Sequence, residues 1–347
     1  MDLNQSKIVR NVWKVLFDYK YVLYFLNQNK HLCSYFDNTK VIFDEFECET
    51  VSKLNNGFLI NEKFYWDSST KKFLFDIQDT YVELQINETD LLIRIIDFIN
   101  EHVSYSVYSL LYGIKSNINN STSISPRFII SANSFVSFRD DVLLLYHIDK
   151  NEIIWQLNTG SLLNNKDVTQ TGEIISYKDK LFIYLYDNED KRATIVLDIE
   201  TGYELFRTSE FMGYIRLQED RIYALYGKTV SILNPESYQI RRIDLSEELA
   251  VLDESIEEFL GAESLGYTTI EFKLSPTIYE VRYPYLYFAQ ERGAQVGVLN
   301  LETEKLEWHA TMDIDYPVNP VVMDIKACEN RLYVHCADRT LHIFEME

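Results

Sequence analysis

The sequence predicts an all-β protein, a single closed β-propeller of four-stranded blades over residues 1–347. Three observations predict it. A phrase recurs: "IISYKDKLFIYLYDNEDKRATIVLDIETGYELFR" from Ile174, "YIRLQEDRIYALYGKTVSILNPESYQIRRI" from Tyr214, and "IYEVRYPYLYFAQERGAQVGVLNLETEKLEWH" from Ile278. Each copy reads as a short apolar strand, a charged turn, an alternating strand, a second alternating strand ending in Leu-Asp or Leu-Asn, a turn and a last strand. A four-stranded unit returning at about 40 residues is the signature of a radial repeat. The composition agrees, because 25 Tyr and 20 Phe favour strands. The apolar runs agree as well: "LFIYLYD" and "RIYALYG" are apolar at nearly every position, as strands are when neighbouring sheets cover both faces.

Eight strand cores mark the units in order: Val22–Phe25, Phe58–Ile60, Leu91–Ile95, Val142–Tyr146, Leu181–Leu185, Ile222–Leu225, Leu286–Ala289 and Leu332–His335. The third is the weakest, lacking the Leu-Asp turn. The count favours seven blades, or eight if the third core forms a blade of its own. The last unit stops after three strands, and "KIVRNVWKV" near the N-terminus is placed to supply the fourth and remove a free sheet edge. With only 11 Gly and 6 Pro, the hairpins must turn on Asn, Asp, Ser and Lys.

One segment breaks the period. Leu245, Leu249, Leu252, Ile256, Phe259 and Leu260 fall at helical spacing. Asp244 and Glu247 read as a capping box, and Gly261 as the stop. The expectation is a helical insertion over 244–266, its stripe docked on the ring. Its opposite face carries Glu247, Glu248, Asp253, Glu254, Glu257 and Glu258, either as a solvated surface or as a partner-binding one. "GIKSNINNSTSISPR", Gly113–Arg127, reads as an Asn/Ser-rich loop.

The net charge is −21, from 54 acids against 33 Lys and Arg. Phosphate backbones and anionic membranes repel such a surface, so neither nucleic acid nor membrane is an expected partner. Solubility explains the excess, and so does a basic partner drawn in by electrostatic steering. The start has no signal-peptide pattern, no apolar run is long enough to span a bilayer, and Cys33, Cys48, Cys328 and Cys336 lack metal or redox spacing. These features predict a cytoplasmic protein with free thiols, in which the sequons at Asn87 and Asn120 play no part.

The turn phrase carries a family likeness. "VLDIETGYELFR" at Val196–Arg207 resembles the repeat of quinoprotein-type propellers, with an Asp, then Thr-Gly, before an aromatic-ended strand. Leu299–Trp308 and Trp66–Phe75 are weaker copies, and His147–Leu157 and Leu233–Ile243 weaker still. The resemblance implies blade architecture. A quinone cofactor is not implied, because the family's export signal and vicinal cysteines are missing. The physical logic is local: the Asp or Asn caps turn N–H groups, and Gly or a polar residue takes the left-handed position.

No residue pattern supports catalysis. His31, His102, His147, His309, His335 and His342 show no ligand spacing, and no nucleophile elbow or phosphate loop is present. The expectation is a non-catalytic, protein-binding propeller with no cofactor or metal, monomeric when free. The residue usage resembles the coding bias of an AT-rich bacterium. Together with the charge, that suggests an immunity protein occluding a basic toxin. The alternative is an assembly scaffold; a propeller hydrolase or quinoprotein-like enzyme stands behind both.

Overall fold

The computed structural model describes residues 3–10, 12, 14–17, 23–26, 32–34, 40–43, 51–54, 57–61, 64–67, 72–73, 80–86, 90–97, 100, 102–109, 113–118, 124–139, 141–164, 168–189, 191–259, 265–314, 321–328 and 330–346. Among them the strands form eight four-stranded sheets and one two-stranded hairpin, antiparallel wherever pairing is described. Sheet 1 holds Lys14–Phe17, Leu23–Leu26, Leu32–Ser34 and Lys40–Phe43, and sheet 2 holds Val51–Leu54, Gly57–Ile60, Phe64–Asp67 and Lys72–Phe73. Sheet 3 comprises Thr80–Gln85, Asp90–Asp97, His102–Ser109 and Gly113–Ile118; sheet 4 comprises Pro126–Ser131, Ser134–Arg139, Val142–His147 and Glu152–Asn158. Sheet 5 is Val168–Tyr177, Lys180–Asp187, Arg192–Asp198 and Glu204–Thr208, and sheet 6 is Arg216–Gln218, Arg221–Tyr226, Thr229–Leu233 and Ile240–Asp244. Sheet 7 is Leu274–Arg282, Tyr285–Gln290, Gln295–Asn300 and Lys305–Thr311. Sheet 8 takes Val322–Cys328, Arg331–Cys336 and Leu341–Met346 and receives Leu3–Val9 as its fourth strand.

Each of the eight cores falls in a different sheet, and the weak third core forms a complete one. The predicted closing strand is real but lies earlier than expected: Leu3 pairs with Met346 and Val9 with Leu341, whereas Lys14–Val15 of the same segment enter sheet 1. The expected loop at 113–127 is corrected as well. Gly113–Ile118 pairs with His102–Ser109, and Pro126 starts the next sheet; residues 119–123 lie outside the described residues. A short helix, Thr159–Leu163, was not anticipated; Asn158 accepts from Ser161 N–H at its start, and Asn164 closes it in the left-handed conformation.

Two compact units emerge, one of residues 1–15 with 210–347 and one of residues 16–209. In each, strand parity sorts side chains between two cores. In sheet 4, Phe135, Leu144 and Tyr146 face the core shared with sheet 3, while Val136, Leu143 and Leu145 face sheet 5. In sheet 7, Leu286 and Phe288 pack toward sheet 6, while Tyr287 and Ala289 pack toward sheet 8. Near-continuous apolar strands are therefore what two covered faces require. Gly297 serves this packing: a Cβ there would sit 2.4 Å from Phe288 Cζ, so only hydrogen leaves room for the ring.

The turn phrase does what its chemistry predicts. Asp198 Oδ1 accepts from Thr201 N–H (2.8 Å) and hydroxyl (2.6 Å), and Gly202 follows at φ +72°. Asn234 and Asn300 cap the same turn in sheets 6 and 7, with Tyr238 (φ 60°) and Glu304 (φ 59°) in the left-handed position. His147 takes the capping place in sheet 4: its Nδ1 accepts from Lys150 N–H at 3.3 Å, and Asn151 turns at φ 56°. The turns also couple sheets. Trp155 of sheet 4 donates its indole N–H to Ile199 O (2.7 Å) and covers Gly202; Arg241 of sheet 6 donates to Leu301 O (2.8 Å) at the matching place on sheet 7.

The insertion is the main correction. Among the described residues of the insertion only Glu248–Leu252 is helical, as one 3-10 turn, and Glu254–Phe259 then pairs with Leu265–Ile270 as a hairpin. Leu245, Leu249 and Leu252 do bury in the core between sheets 6 and 7. Beyond them a helix would stack Asp253 on Glu257 and Glu254 on Glu258, like charges four residues apart. The returning "YTTI" is instead strand-favouring. Residues 260–264, including the expected stop at Gly261, lie outside the described residues.

Candidate partner-binding face

The insertion leaves sheet 6 at Asp244, whose Oδ1 accepts from Ser246 N–H (2.9 Å) and hydroxyl (2.6 Å). Those bonds hold its carboxyl below the usual value. They also displace the expected capping box, because Glu247 starts the 3-10 turn with no side-chain cap bond. Three of the other predicted acids brace the insertion. Glu248 accepts from Lys305 Nζ and Leu306 N–H, both at 2.9 Å, and the lysine's hydrogen bond leads in lowering its pKa. Asp253 receives the buried Lys228 ammonium at 2.8 and 2.9 Å and Phe272 N–H at 2.8 Å. Burial pushes its carboxyl up, but these donors together outweigh that and hold it below the usual value. Glu254 accepts from Gln295 Nε2 at 2.6 Å, and the same nitrogen also reaches Leu252 O.

Of the six predicted acids, Glu247 therefore faces solvent, while Glu248, Asp253 and Glu254 hold the insertion to sheets 6 and 7. Glu257 and Glu258 lie on the first hairpin strand, where only the backbone is described. The like-charged helical face does not form.

The structure adds apolar residues that charge counting missed. Tyr226 is 62% exposed, Val251 65% and Ile270 44%. Local bonds bring their elements together. Leu245 N–H donates to Lys228 O (3.0 Å), Leu274 N–H donates to Gly227 O (2.8 Å), and Lys228 links Asp253 to Glu271, 4.0 Å away. Glu247, Glu254 and Glu271 of the same insertion are exposed. Tyr226, Val251 and Ile270 are thus exposed apolar residues on elements that the Lys228–Asp253 pair and these backbone bonds hold together. A signal existed in the sequence: Val251 is an aliphatic residue off the buried stripe, inside an acidic run.

His335 and His342 sit on adjacent strands of sheet 8, as their positions suggest. His335 Nε2 lies 3.0 Å from Val12 O, and His342 Nδ1 lies 3.2 Å from Gln5 Oε1, so both tie down the N-terminal strand segment. Burial holds both imidazoles below the usual histidine value. Cys328 and Cys336 are buried free thiols in the same sheet. Among the described residues, no group of three or more His, Cys, Asp or Glu is arranged to hold a metal ion. His31, Cys48, Asn87 and Asn120 lie outside the described residues, and of Cys33 only the backbone is described.

No family model matches the sequence, and no curated relative is found. Solved structures are similar in fold. The computationally designed Ika8 protein superposes with a TM-score of 0.60 at 12% identity, covering 97% of this chain and 96% of its own. BamB from Moraxella catarrhalis superposes with a TM-score of 0.57 at 10% identity, covering 99% of this chain and 100% of its own. The structural neighbours are β-propeller proteins, and the chain is all-β with the four-stranded sheets of that fold.

Proposed function

We propose that this chain is a non-catalytic protein-binding propeller that receives a basic protein partner on the face built by Tyr226, Val251 and Ile270. The observation that carries the proposal is the exposure of three apolar residues on and beside the insertion, together with exposed Glu247, Glu254 and Glu271, on a chain of net charge −21. Steering by the negative field speeds encounter, and the apolar centre holds the complex. The buried thiols of Cys328 and Cys336 suit a reducing cytoplasm. Neutralisation of a basic toxin is the finer form of the proposal, resting on charge complementarity.

The test is affinity capture from the native host over a salt series, with wild type beside Val251→Asp and Glu247→Lys/Glu271→Lys. A basic protein should be retained by wild type, lost progressively as salt rises, and weakened by both variants. Retention indifferent to salt and to both variants contradicts the proposal. For the toxin form, co-expression should rescue cells from the captured partner; a partner harmless when expressed alone removes that form and leaves the scaffold reading.

A further inference from the structure

A second feature lies between sheets 6 and 7, at the end carrying their first hairpin turns: an open cleft of about 920 Å³. Its floor is two rungs of sheet 6 that share one face. Tyr223, Ile232 and Arg241 form the inner rung, and Arg221, Asn234 and Gln239 the outer one. Tyr223 and Ile232 of the inner rung still belong to the core, Arg241 is exposed and paired with Glu304 (2.8 Å), and the outer rung is polar. At the rim, Glu219 and Asp220 turn at φ 47° and 58°, and Tyr283 of sheet 7 stands opposite, 51% exposed. Tyr283 N–H donates to Glu219 Oε2 (2.9 Å), which fixes the carboxylate at the mouth.

The telling group is Tyr223. The residue is 1% exposed and lines the cleft, yet its hydroxyl makes no hydrogen bond to the described residues. The hydroxyl is not among the fully buried unpaired polar atoms, so it meets solvent in the cleft, where a ligand acceptor can take the place of water. Burial, reinforced by Glu219, pushes its pKa up to about 12, so the group remains a donor at any physiological pH.

We propose that this cleft binds an extended peptide segment carrying a basic side chain. The donors of the floor, the Tyr223 hydroxyl, the Arg221 guanidinium and the Gln239 amide, suit main-chain carbonyls. The Glu219 and Asp220 carboxylates, with the Tyr283 ring beside them, suit an ammonium or guanidinium group. A volume of this size accommodates a short segment rather than a folded domain. The inference rests on the protein-binding reading above and gives it a second, distinct contact: a tail or loop of the basic partner.

The experiment uses the full chain and capped heptapeptide pools, randomised except for a central Arg, Lys, Ala or Glu, read by fluorescence anisotropy. The Arg and Lys pools should bind about tenfold more tightly than the Glu pool. Glu219→Gln/Asp220→Asn should erase that preference. Tyr223→Phe should weaken the Arg and Lys pools while melting at or above the wild-type temperature, since the hydroxyl it removes has no partner among the described residues. Val251→Asp should leave peptide binding intact, so loss of the partner face and loss of the cleft are told apart. Equal binding of all pools, a preference that survives Glu219→Gln/Asp220→Asn, or undiminished binding by Tyr223→Phe overturns the proposal.

Discussion

Gly202→Ala is the sharpest probe of how the repeat couples one sheet to the next. The residue sits at φ +72°, where an L side chain costs about 1–2 kcal/mol. That conformation alone is tolerated, because Tyr238 and Glu304 adopt it in the sister turns. What differs at Gly202 is Trp155: an added Cβ would lie 2.8 Å from its Cδ2. The indole must move, loosening its 2.7 Å bond to Ile199 O, which is worth about 1 kcal/mol. Lost ring packing adds about 1 kcal/mol more. Gly202→Ala should therefore cost about 3–4 kcal/mol in the wild type. In a Trp155→Ala background only the backbone strain should remain, about 1–2 kcal/mol. Urea unfolding followed by far-ultraviolet circular dichroism measures both arms of the cycle. Additive costs, with no coupling between the two sites, would refute the docking argument.

Other outcomes follow from the same structure. Gly297→Ala should destabilise by about 1–3 kcal/mol, because its Cβ meets Phe288 Cζ at 2.4 Å and Trp308 O at 2.9 Å, and Phe288→Leu should relieve only the ring's share of that cost in the double variant. Lys228→Met leaves the Asp253 carboxylate without its ammonium and should cost about 3 kcal/mol by urea midpoint, whereas Lys305→Met, an exposed partner of Glu248, should leave the midpoint nearly unchanged. His335 and His342 are held neutral below their ordinary value of 6.5, so below that pH the unfolded chain binds more protons than the fold. Stability should fall as pH drops from 6.5, with a slope approaching about 1.4 kcal/mol per pH unit for each histidine. His335→Gln should flatten that slope; an unchanged slope would show that the histidines titrate alike in both states.

Most of the fold was legible because its determinants are local or periodic. The eight apolar cores each mark one sheet, and a period of two with both faces covered is a direct reflection of packing between neighbours. The turns were legible because Asp198, Asn234 and Asn300 act on N–H groups two or three residues ahead. The insertion misled because Leu245, Leu249 and Leu252 fit a helix and a 3-10 turn equally well over so short a span. What decided the outcome was non-local: Lys228, Gln295 and Lys305 draw in Asp253, Glu254 and Glu248 from other strands. The candidate face was half legible. Its acidity is plain in the sequence, but the backbone bonds that tie the insertion to Gly227 and Lys228 of sheet 6 are non-local. Tyr223 could not have been singled out from "RIYALYG", because whether a buried phenol finds a partner depends on groups around it in space.

The most direct measurement is cross-linking mass spectrometry on the captured complex, using a carboxylate-reactive reagent on wild type and Val251→Asp. Cross-links from Glu247 and Glu271 to a basic protein, depleted in the variant, are the predicted result. Links concentrated elsewhere on the chain, unchanged by Val251→Asp, would contradict the assignment of this face as the binding surface.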